Sequence, residues 1–206
     1  MKTKTGTSQK SLDDALLESV DAGDADRVKD SLLAGADIHA ENDYALYLAA
    51  RNGHLEMVIL LLDRGADIRA QGYYALCWAS EKGHLEVVRL LLDRGADIHA
   101  ENDAALRWAA GNRHVEVLRL LIDSGADLHA DNSSALRASV HHESGDIILL
   151  MLAHGADLEI GIKEAEASGK GEMAGLLSGI RLSREEKGIL LSEVPAPGQA
   201  DRRIRM

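Results

Sequence analysis

The sequence predicts an all-α solenoid, in which short helix-turn-helix units are stacked one behind another along a single axis. The tripeptide Gly-Ala-Asp returns every thirty residues, at Gly35, Gly65, Gly95, Gly125 and Gly155. Between these tripeptides, the phrase Gly-His-Leu-Glu followed by Leu-Leu-Leu occurs twice and returns a third time in altered form. Self-similarity at a period of roughly 20–50 residues is typical of stacked repeat proteins, which have no single central core.

The composition agrees with thin helical layers. Apolar residues make up 46% of the chain, but aromatic residues only 3%, and Phe is absent. The apolar side chains are therefore mostly those of Leu, Ala, Ile and Val. A length of 206 residues would by itself suggest one or two globular domains, but the repeat takes precedence.

The net charge is strongly negative and unevenly distributed. The chain carries −11 in total, while residues 1–10 hold three lysines and residues 179–206 hold six basic against four acidic side chains. The body between them therefore carries about −16 (−11 − 3 − 2). Because binding to a phosphate backbone needs a clustered basic surface, we expect no nucleic-acid partner.

Cys77 is the only cysteine, which excludes an internal disulfide and fits a reducing compartment. Residues 1–20 lack the apolar stretch of a secretory signal, and no apolar run approaches the roughly 18 residues of a membrane span. We therefore expect an intracellular, cytoplasmic protein that does not contact a membrane.

The repeat divides the chain into five parts. We predict a disordered N-terminal tail at 1–10, an N-terminal capping repeat at 11–34, four thirty-residue units at 35–154, a short C-terminal capping repeat at 155–178 and a partly disordered extension at 179–206. The first helix pair is more charged than the units and has no Gly-Ala-Asp before it, as expected of a cap whose outer face meets water. The segment 181–194 could add one more helix.

Each unit contains the same pieces. Gly-Ala-Asp opens an extended segment, a polar turn such as Glu41-Asn42-Asp43 follows, and two helices come next, at about 45–51 and 55–63 in the first unit. Asn, Asp and Ser in these turns can cap the coming helix by accepting its free backbone N–H groups. Gly53 and Gly83 fall where the turn between the helices needs an unhindered backbone. We expect neighbouring units to pack through Leu46, Ala49, Leu55, Val58, Leu61 and their equivalents.

These units resemble ankyrin repeats over about 165 of the 206 residues. The resemblance lies in Gly-His-Leu-Glu-Val-Val, Leu-Leu-Leu and Gly-Ala-Asp, in this order. The ankyrin period of about 33 residues and its Thr-Pro-Leu-His-x-Ala signature are not kept, since this chain has Asp43-Tyr44-Ala45-Leu46-Tyr47 in that place. The three missing residues fall before the first helix, so we expect short hairpin tips, similar to those of ankyrin arrays in giant viruses and some microbes.

The resemblance implies an ankyrin-repeat solenoid of stacked helix-turn-helix units with short hairpin-like turns. It also implies a non-catalytic scaffold that binds another protein on its concave face, which the hairpin tips and first helices form. His54, His84 and His114 fall at the family's turn between helices, where a structural hydrogen bond is expected. For a viral protein or an effector, the implied compartment is the host cytoplasm. We expect a monomer without cofactors.

All six aromatic residues of the chain lie in a turn or first helix of the first three units. Tyr and Trp are favoured at protein interfaces because they bury a large area at small entropic cost. In later units two arginines replace Tyr47 and Cys77, so one row of the array changes from apolar to basic. The predicted partner-binding residues are Tyr44, Tyr47, Tyr73, Tyr74, Trp78, Arg107, Trp108 and Arg137.

These residues also have a purely structural interpretation. Leu48 and Ala138 hold the position of the two tryptophans in the other units, so this position could serve packing between first helices. The two arginines could simply be solvated. We expect the tryptophans to be partly buried, and Tyr44, Tyr73 and Tyr74 to be exposed and competent for binding.

Neither a metal site nor a catalytic site is expected. His39, His99 and His129 share one repeat position, but helices about 8–10 Å apart do not readily bring them within ~2 Å of one zinc ion. Cys77 has no base or orienting acid at a recognisable spacing. The aspartate of each Gly-Ala-Asp is predicted to tie the turns of adjacent units together, since one carboxylate per unit cannot hold calcium.

Two other functions stay open at this point. The array could be chiefly structural and self-associating, as the irregular turn at 140–146 and the segment 181–194 suggest. An effector-type adaptor that acts through residues 179–206 rests on family analogy alone.

Overall fold

The computed structural model describes residues 8–192, apart from the side chains of 71–72 and 186–192. All regular structure in this part of the chain is α-helical, as predicted. The helices are α1 (Gln9–Asp21), α2 (Ala25–Leu33), α3 (Ala40–Asn52), α4 (Leu55–Asp63), α5 (Ala70–Lys82), α6 (Leu85–Asp93), α7 (Ala100–Gly111), α8 (Val115–Asp123), α9 (Ala130–His141), α10 (Gly145–Ala153), α11 (Leu158–Ala167) and α12 (Gly171–Ser192). Residues 1–7 of the predicted N-terminal tail and 193–206 of the predicted extension lie outside the described residues.

The helices form two layers, with odd-numbered first helices in one layer and even-numbered second helices in the other. Neighbouring first helices pack together along most of their length, whereas neighbouring second helices meet at few points. Ala49, Ala79 and Ala109 are fully buried in the first-helix layer, where their small side chains allow this close approach. The first helices are thus more closely spaced than the second helices, and such a difference in spacing favours curvature towards the first-helix layer.

Each interface between units buries a row of aliphatic side chains. In the first unit, Leu46, Ala49, Val58 and Leu61 are at most 2% exposed, and the equivalent residues of later units are as deeply buried. A continuous core therefore runs along the stack, and its main helix contacts are formed within a unit or between neighbouring units. The prediction that Leu55 belongs to this row is wrong, since it is 37% exposed. A helical side chain lies over the turn before it, and Leu55 is the first residue of α4.

The polar turns adopt a left-handed conformation that the sequence analysis did not predict. Glu41, Asn42 and Asp43 have φ angles of 52°, 61° and 59°, and the corresponding residues of the third and fourth units do the same. The third turn residue therefore points inward instead of capping the first helix, and Asp43 is only 5% exposed. Its carboxylate accepts a hydrogen bond from the backbone N–H of Asp67 in the next unit, at 2.8 Å.

The same hydrogen bond between neighbouring units, which we call the aspartate tie, recurs along the stack. The carboxylate of Asp13 accepts from the backbone N–H of Asp37 at 2.7 Å, and that of Asp103 accepts from Asp127 at 2.8 Å. The aspartates of Gly-Ala-Asp were expected to tie adjacent units through their side chains. Their carboxylates instead accept from the backbone two residues later in their own turn, as that of Asp37 does from His39 at 2.9 Å. These aspartates contribute their backbone N–H groups, and not their carboxylates, to the hydrogen bonds between units.

A second tie joins the units at the turn between helices and confirms the expected structural role of the histidines. The ring Nε2 atoms of His84 and His114 donate to backbone carbonyls of the preceding unit, at 3.0 and 2.7 Å. Each ring lies over a glycine of that unit, and a Cβ built on Gly53 or Gly83 would come within 2.6 or 2.4 Å of it. These glycines have φ angles of 75° and 77°, so both the contact and the conformation require glycine.

The histidine tie is absent between the third and fourth units. Arg113, with a φ angle of 63°, holds the position of the glycine, and Ser144 replaces the histidine that would lie over it. A side chain is tolerated at 113 because no ring packs against that position. The hydroxyl of Ser144 is buried and has no hydrogen-bond partner among the described residues.

The two ends of the stack differ from the regular units. α1 begins two residues before the predicted capping repeat at 11–34, because the hydroxyl of Ser8 caps the helix by accepting from the Ser11 N–H. In the fifth unit Asp157 itself caps α11, so the polar turn is lost and the repeat is shorter. α12 continues without a break through position 178, and Arg181 beyond it pairs with Glu159 at 3.4 Å. The division into caps and units stays a prediction.

Candidate functional site

Three aromatic rings from two neighbouring first helices form one continuous contact. Tyr44 and Tyr47 lie one turn apart on α3, and their rings stack with centroids 4.9 Å apart. Trp78 of α5 meets Tyr47 edge-on, with centroids 5.8 Å apart and the ring planes at 87°. All three are half-buried. Burial raises the pKa of the Tyr47 hydroxyl, against the opposing effect of the nearby Arg51, so this phenol stays neutral at physiological pH.

Trp78 also lies beside two cations. Arg51 Cζ and Lys82 Nζ are each 5.6 Å from the centroid of its ring. A cation over an indole is attracted by the negative face of the ring. Lys82 pairs in addition with the carboxylate of Glu81, at 2.9 Å. Trp78 is therefore covered by charged neighbours, in agreement with the partial burial that was predicted for it.

A groove of about 330 Å³ opens between α5 and α7. Tyr74 and Trp108 flank it and are each 45% exposed, whereas Cys77 is 6% exposed and forms part of its floor. Its other principal lining side chains are Trp78, Glu81, Glu101 and Arg107. The groove thus combines aromatic rings with charges of both signs, which are the groups that recognise another molecule.

The groove brings together four of the eight predicted binding residues, namely Tyr74, Trp78, Arg107 and Trp108. Tyr47 adjoins it through its contact with the Trp78 ring, and Tyr44 stacks on Tyr47. Of the three tyrosines expected to be exposed, only Tyr74 is. Tyr44 is half-buried because it stacks on its neighbour, and Tyr73 is half-buried at the turn position that points inward. Trp108 is more exposed than we expected.

The two predicted arginines bind carboxylates of the following unit. Arg107 pairs with Asp131 at 2.7 Å. Arg137 pairs with Glu164, and its Nε donates to the backbone carbonyl of Asn132 at 3.0 Å. Neither arginine is therefore simply solvated, and Arg137 does not line the groove. Both also help to hold successive units together.

Sequence reasoning missed the charged residues around the tryptophans. Lys82 follows Trp78 by four residues, a spacing that places two side chains on one helix face and could have revealed this contact. Arg51 comes from the preceding unit, and Glu81 and Glu101 come from two different helices. Their contacts depend on the register between neighbouring helices, which the repeat period alone does not specify.

The thiol of Cys77, at the floor of the groove, has a strongly raised pKa. Burial raises the pKa of its thiol from 9.0 to about 11, with Glu101 adding to the rise and Arg107 opposing it. The thiolate is the reactive form of cysteine. Near pH 8 the folded protein should therefore hold about 100-fold less thiolate than the unfolded chain.

We expect Cys77 to react with a thiol reagent at pH 8 at least about 100-fold more slowly in the native than in the unfolded protein. Because the thiol has a higher pKa in the folded protein than in the unfolded chain, its protonation favours the folded state. This contribution to stability is complete below pH 9 and is lost as the pH rises towards 11. Between pH 7 and 10.5 the free energy of unfolding should fall by roughly 2 kcal/mol more in the wild type than in Cys77→Ala. Denaturant unfolding from pH 7 to 10.5 measures the difference, and parallel curves for the two proteins would contradict it.

The aromatic and charged side chains of the groove can contact another molecule, and burial keeps the thiol of Cys77 protonated. Among the side chains that the structure describes, no three of His, Cys, Asp or Glu lie together in a way that could hold a metal ion. None of the helices in the described part of the chain is both long and apolar enough to cross a membrane.

Two family models match the chain. One, described as ankyrin repeats in three copies, matches residues 16–102, and another, described as an ankyrin repeat, matches residues 101–133. Together they cover more than half of the 206 residues. No curated protein is similar enough to add to this assignment. Ankyrin repeats are generally protein–protein interaction modules, and the proteins that contain them are typically non-enzymatic scaffolds. The chain belongs to the ankyrin repeat family.

Proposed function

We propose that this protein is a non-catalytic scaffold that binds a partner protein on the concave side of the stack. The observation that carries the proposal is the groove between α5 and α7, where Tyr74 and Trp108 are each 45% exposed beside Trp78. Exposed Trp and Tyr are enriched among the residues that dominate protein interfaces, because they bury a large rigid surface on binding.

The groove belongs to a wider surface that spans three units. We name it the aromatic face, and it consists of Tyr44, Tyr47, Tyr74, Trp78 and Trp108. The contacts of Tyr47 with Tyr44 on one side and with Trp78 on the other hold these rings in place before any partner arrives. A surface that is already ordered loses less side-chain entropy on binding. Arg107 adds a cation in the groove, and we propose Tyr73 and Arg137 as contacts at its margin.

The triple variant Tyr74→Ala, Trp78→Ala, Arg107→Glu should lose a partner that the wild type captures from a lysate of the source cells. Removing two central rings of an interface typically costs at least about 2 kcal/mol each, enough to weaken binding by more than about 100-fold. Affinity capture followed by mass spectrometry measures the loss. Circular dichroism and thermal melting must show that the variant is folded, because Arg107→Glu places two carboxylates near each other at Asp131.

The second helices provide a matched control. Arg89, Glu116 and Arg119 are exposed on α6 and α8, away from the groove. A triple alanine variant of these residues should capture the same proteins as the wild type. If the aromatic-face variant also captured the same proteins, the proposed surface would be wrong.

Self-association is a second candidate function, because α12 leaves Leu176 and Leu182 66% and 55% exposed. Under the main proposal the protein is a monomer, and light scattering should give the same mass at all concentrations. A mass that rises with concentration and returns to the monomer value in Leu176→Ser, Leu182→Ser would favour self-association. The adaptor function of residues 179–206 and the intracellular location stay predictions.

A further inference from the structure

The two tryptophans occupy equivalent positions in successive units but have different neighbours. Arg51, which precedes Trp78 by 27 residues, and Lys82, which follows it by four, both lie 5.6 Å from the Trp78 ring. The residues at these positions relative to Trp108 are Glu81 and Asn112. One unit further along, the arginine is thus replaced by an acid and the lysine by a neutral amide. The same ring has two cations in one unit and none at these positions in the next.

This difference agrees with the exposure of the two rings. Trp78 is half-buried, whereas Trp108 is 45% exposed and forms one side of the groove. The Nδ2 of Asn112 donates to the backbone carbonyl of Trp108 at 2.9 Å and so does not cover the ring as Lys82 covers its own. The indole face that a cation covers in one unit is therefore open to an incoming group in the next.

Only some of the charged side chains around this open ring have an ion-pair partner. Arg107 is paired with Asp131, and Glu81 with Lys82. Glu101 is exposed at the edge of the groove, and none of the side chains that the structure describes forms an ion pair or hydrogen bond with its carboxylate. The unpaired charge in the groove is thus negative. The body of the chain, at about −16, adds a long-range field of the same sign.

We infer that the groove binds an arginine side chain of the partner, with the guanidinium against the Trp108 ring and hydrogen-bonded to Glu101. The inference rests on the proposed function only in placing the partner on the aromatic face. The incoming arginine would take the place that Arg51 has beside Trp78 in the preceding unit. The partner segment is thereby defined as basic.

Arginine fits this site better than the other charged or polar side chains. Its planar guanidinium stacks on aromatic faces, is more weakly hydrated than the ammonium of lysine, and can donate two parallel hydrogen bonds to one carboxylate. Equivalent positions on neighbouring helices are about 8–10 Å apart, which leaves room for one planar group between Trp78 and Trp108. A glutamate side chain would meet an unpaired carboxylate and the negative faces of the rings.

The test uses the only two tryptophans of the chain as reporters, since both lie at the groove. The ¹⁵N-labelled full-length protein is titrated with blocked Gly-Arg-Gly, Gly-Lys-Gly, Gly-Gln-Gly and Gly-Glu-Gly peptides, and the two indole N–H resonances are followed by NMR. Trp108→Phe assigns the resonances. The arginine peptide should shift the Trp108 resonance, and the shift should weaken as salt is added. An equal response to the glutamine or glutamate peptide, or to the lysine peptide, would overturn the assignment to arginine.

Three variants examine the site itself. Glu101→Gln should raise the dissociation constant of the arginine peptide by about fivefold to tenfold, while Glu116→Gln, an exposed carboxylate on α8, should leave it unchanged. Glu81→Arg restores the arrangement seen around Trp78 and should abolish the shift, since the new side chain can cover the Trp108 ring. Full binding by Glu81→Arg or Glu101→Gln, or no response of the wild type at millimolar arginine peptide, would refute the inference. Because no natural partner is used, this result is independent of the capture experiment.

Discussion

Gly83→Ala should destabilise the protein by about 3 kcal/mol or more, although the substitution adds only one methyl group. Gly83 has a φ angle of 77°, and a left-handed conformation costs an alanine roughly 1–2 kcal/mol. The methyl would lie 2.4 Å from Nδ1 and 2.8 Å from Cγ of His114, so the whole ring must move. That movement breaks the hydrogen bond from His114 Nε2 to the carbonyl of Glu81, which is 2.7 Å long and worth about 1 kcal/mol.

Gly95→Ala is the matched control. Gly95 also has a left-handed φ angle, of 88°, but nothing lies within 4 Å of the Cβ that alanine would add. Denaturant unfolding should show a loss of about 1–2 kcal/mol there, from the backbone conformation alone. In a His114→Ala background the Gly83→Ala substitution should cost less, since the clash is gone. Equal losses at the two glycines would show that the histidine contact contributes nothing to stability.

The repeat fold could be predicted from the sequence because its signals are local. Each regular second helix is preceded by a histidine and followed by the glycine of Gly-Ala-Asp, and α4 runs from Leu55 to Asp63 as predicted. The structural role of the turn histidines could also be predicted. The pairing of each histidine with the glycine 31 residues before it could not, because that contact joins two units. Once this contact is known, it explains why Arg113 replaces the glycine at the same place where Ser144 replaces the histidine.

The two rows of aspartates show where sequence reasoning fails. Both rows consist of polar residues in turns, and nothing in the composition distinguishes a carboxylate that faces its own turn from one that faces the next unit. The distinction arises from the left-handed backbone at 41–43, which directs Asp43 inward. L-residues rarely adopt three such conformations in succession, so helix capping was the natural but incorrect expectation.

The candidate site, too, could be predicted from the sequence only in part. The repeat positions of the aromatic residues predicted that they would lie on neighbouring first helices, and four of the predicted residues do line one groove. Their exposure could not be predicted, because it depends on side chains from other helices. Trp78 and Trp108 are equivalent in the repeat, and yet only one of them lies beside Arg51 and Lys82.

Asp43→Ala should destabilise the protein by about 2–3 kcal/mol, because it removes a buried charged acceptor. The Asp43 carboxylate is 6% exposed, and it accepts from the N–H of Asp67 at 2.8 Å and from the ring of His39 at 3.0 Å. Asp67→Ala is the matched control, since it keeps the backbone N–H and loses only an exposed bond to the N–H of Arg69. Its cost should stay below about 1 kcal/mol. If Asp67→Ala lost more stability than Asp43→Ala, the carboxylates of Gly-Ala-Asp would connect the units after all, as the sequence analysis expected.

The wild-type protein contains a natural version of this substitution. Tyr73 holds the position of Asp43 in the second unit, so the backbone N–H of Asp97 has no carboxylate from that position to bond to. The corresponding amides of Asp67 and Asp127 each donate to a buried aspartate at 2.8 Å. Native-state hydrogen exchange should therefore be faster at Asp97 than at Asp67 and Asp127, by about tenfold or more if the bond is worth at least 1.4 kcal/mol. In Asp43→Ala the Asp67 amide should exchange at the Asp97 rate, whereas the Asp127 amide, two units away, should keep its protection, because each unit of a solenoid contacts only its neighbours.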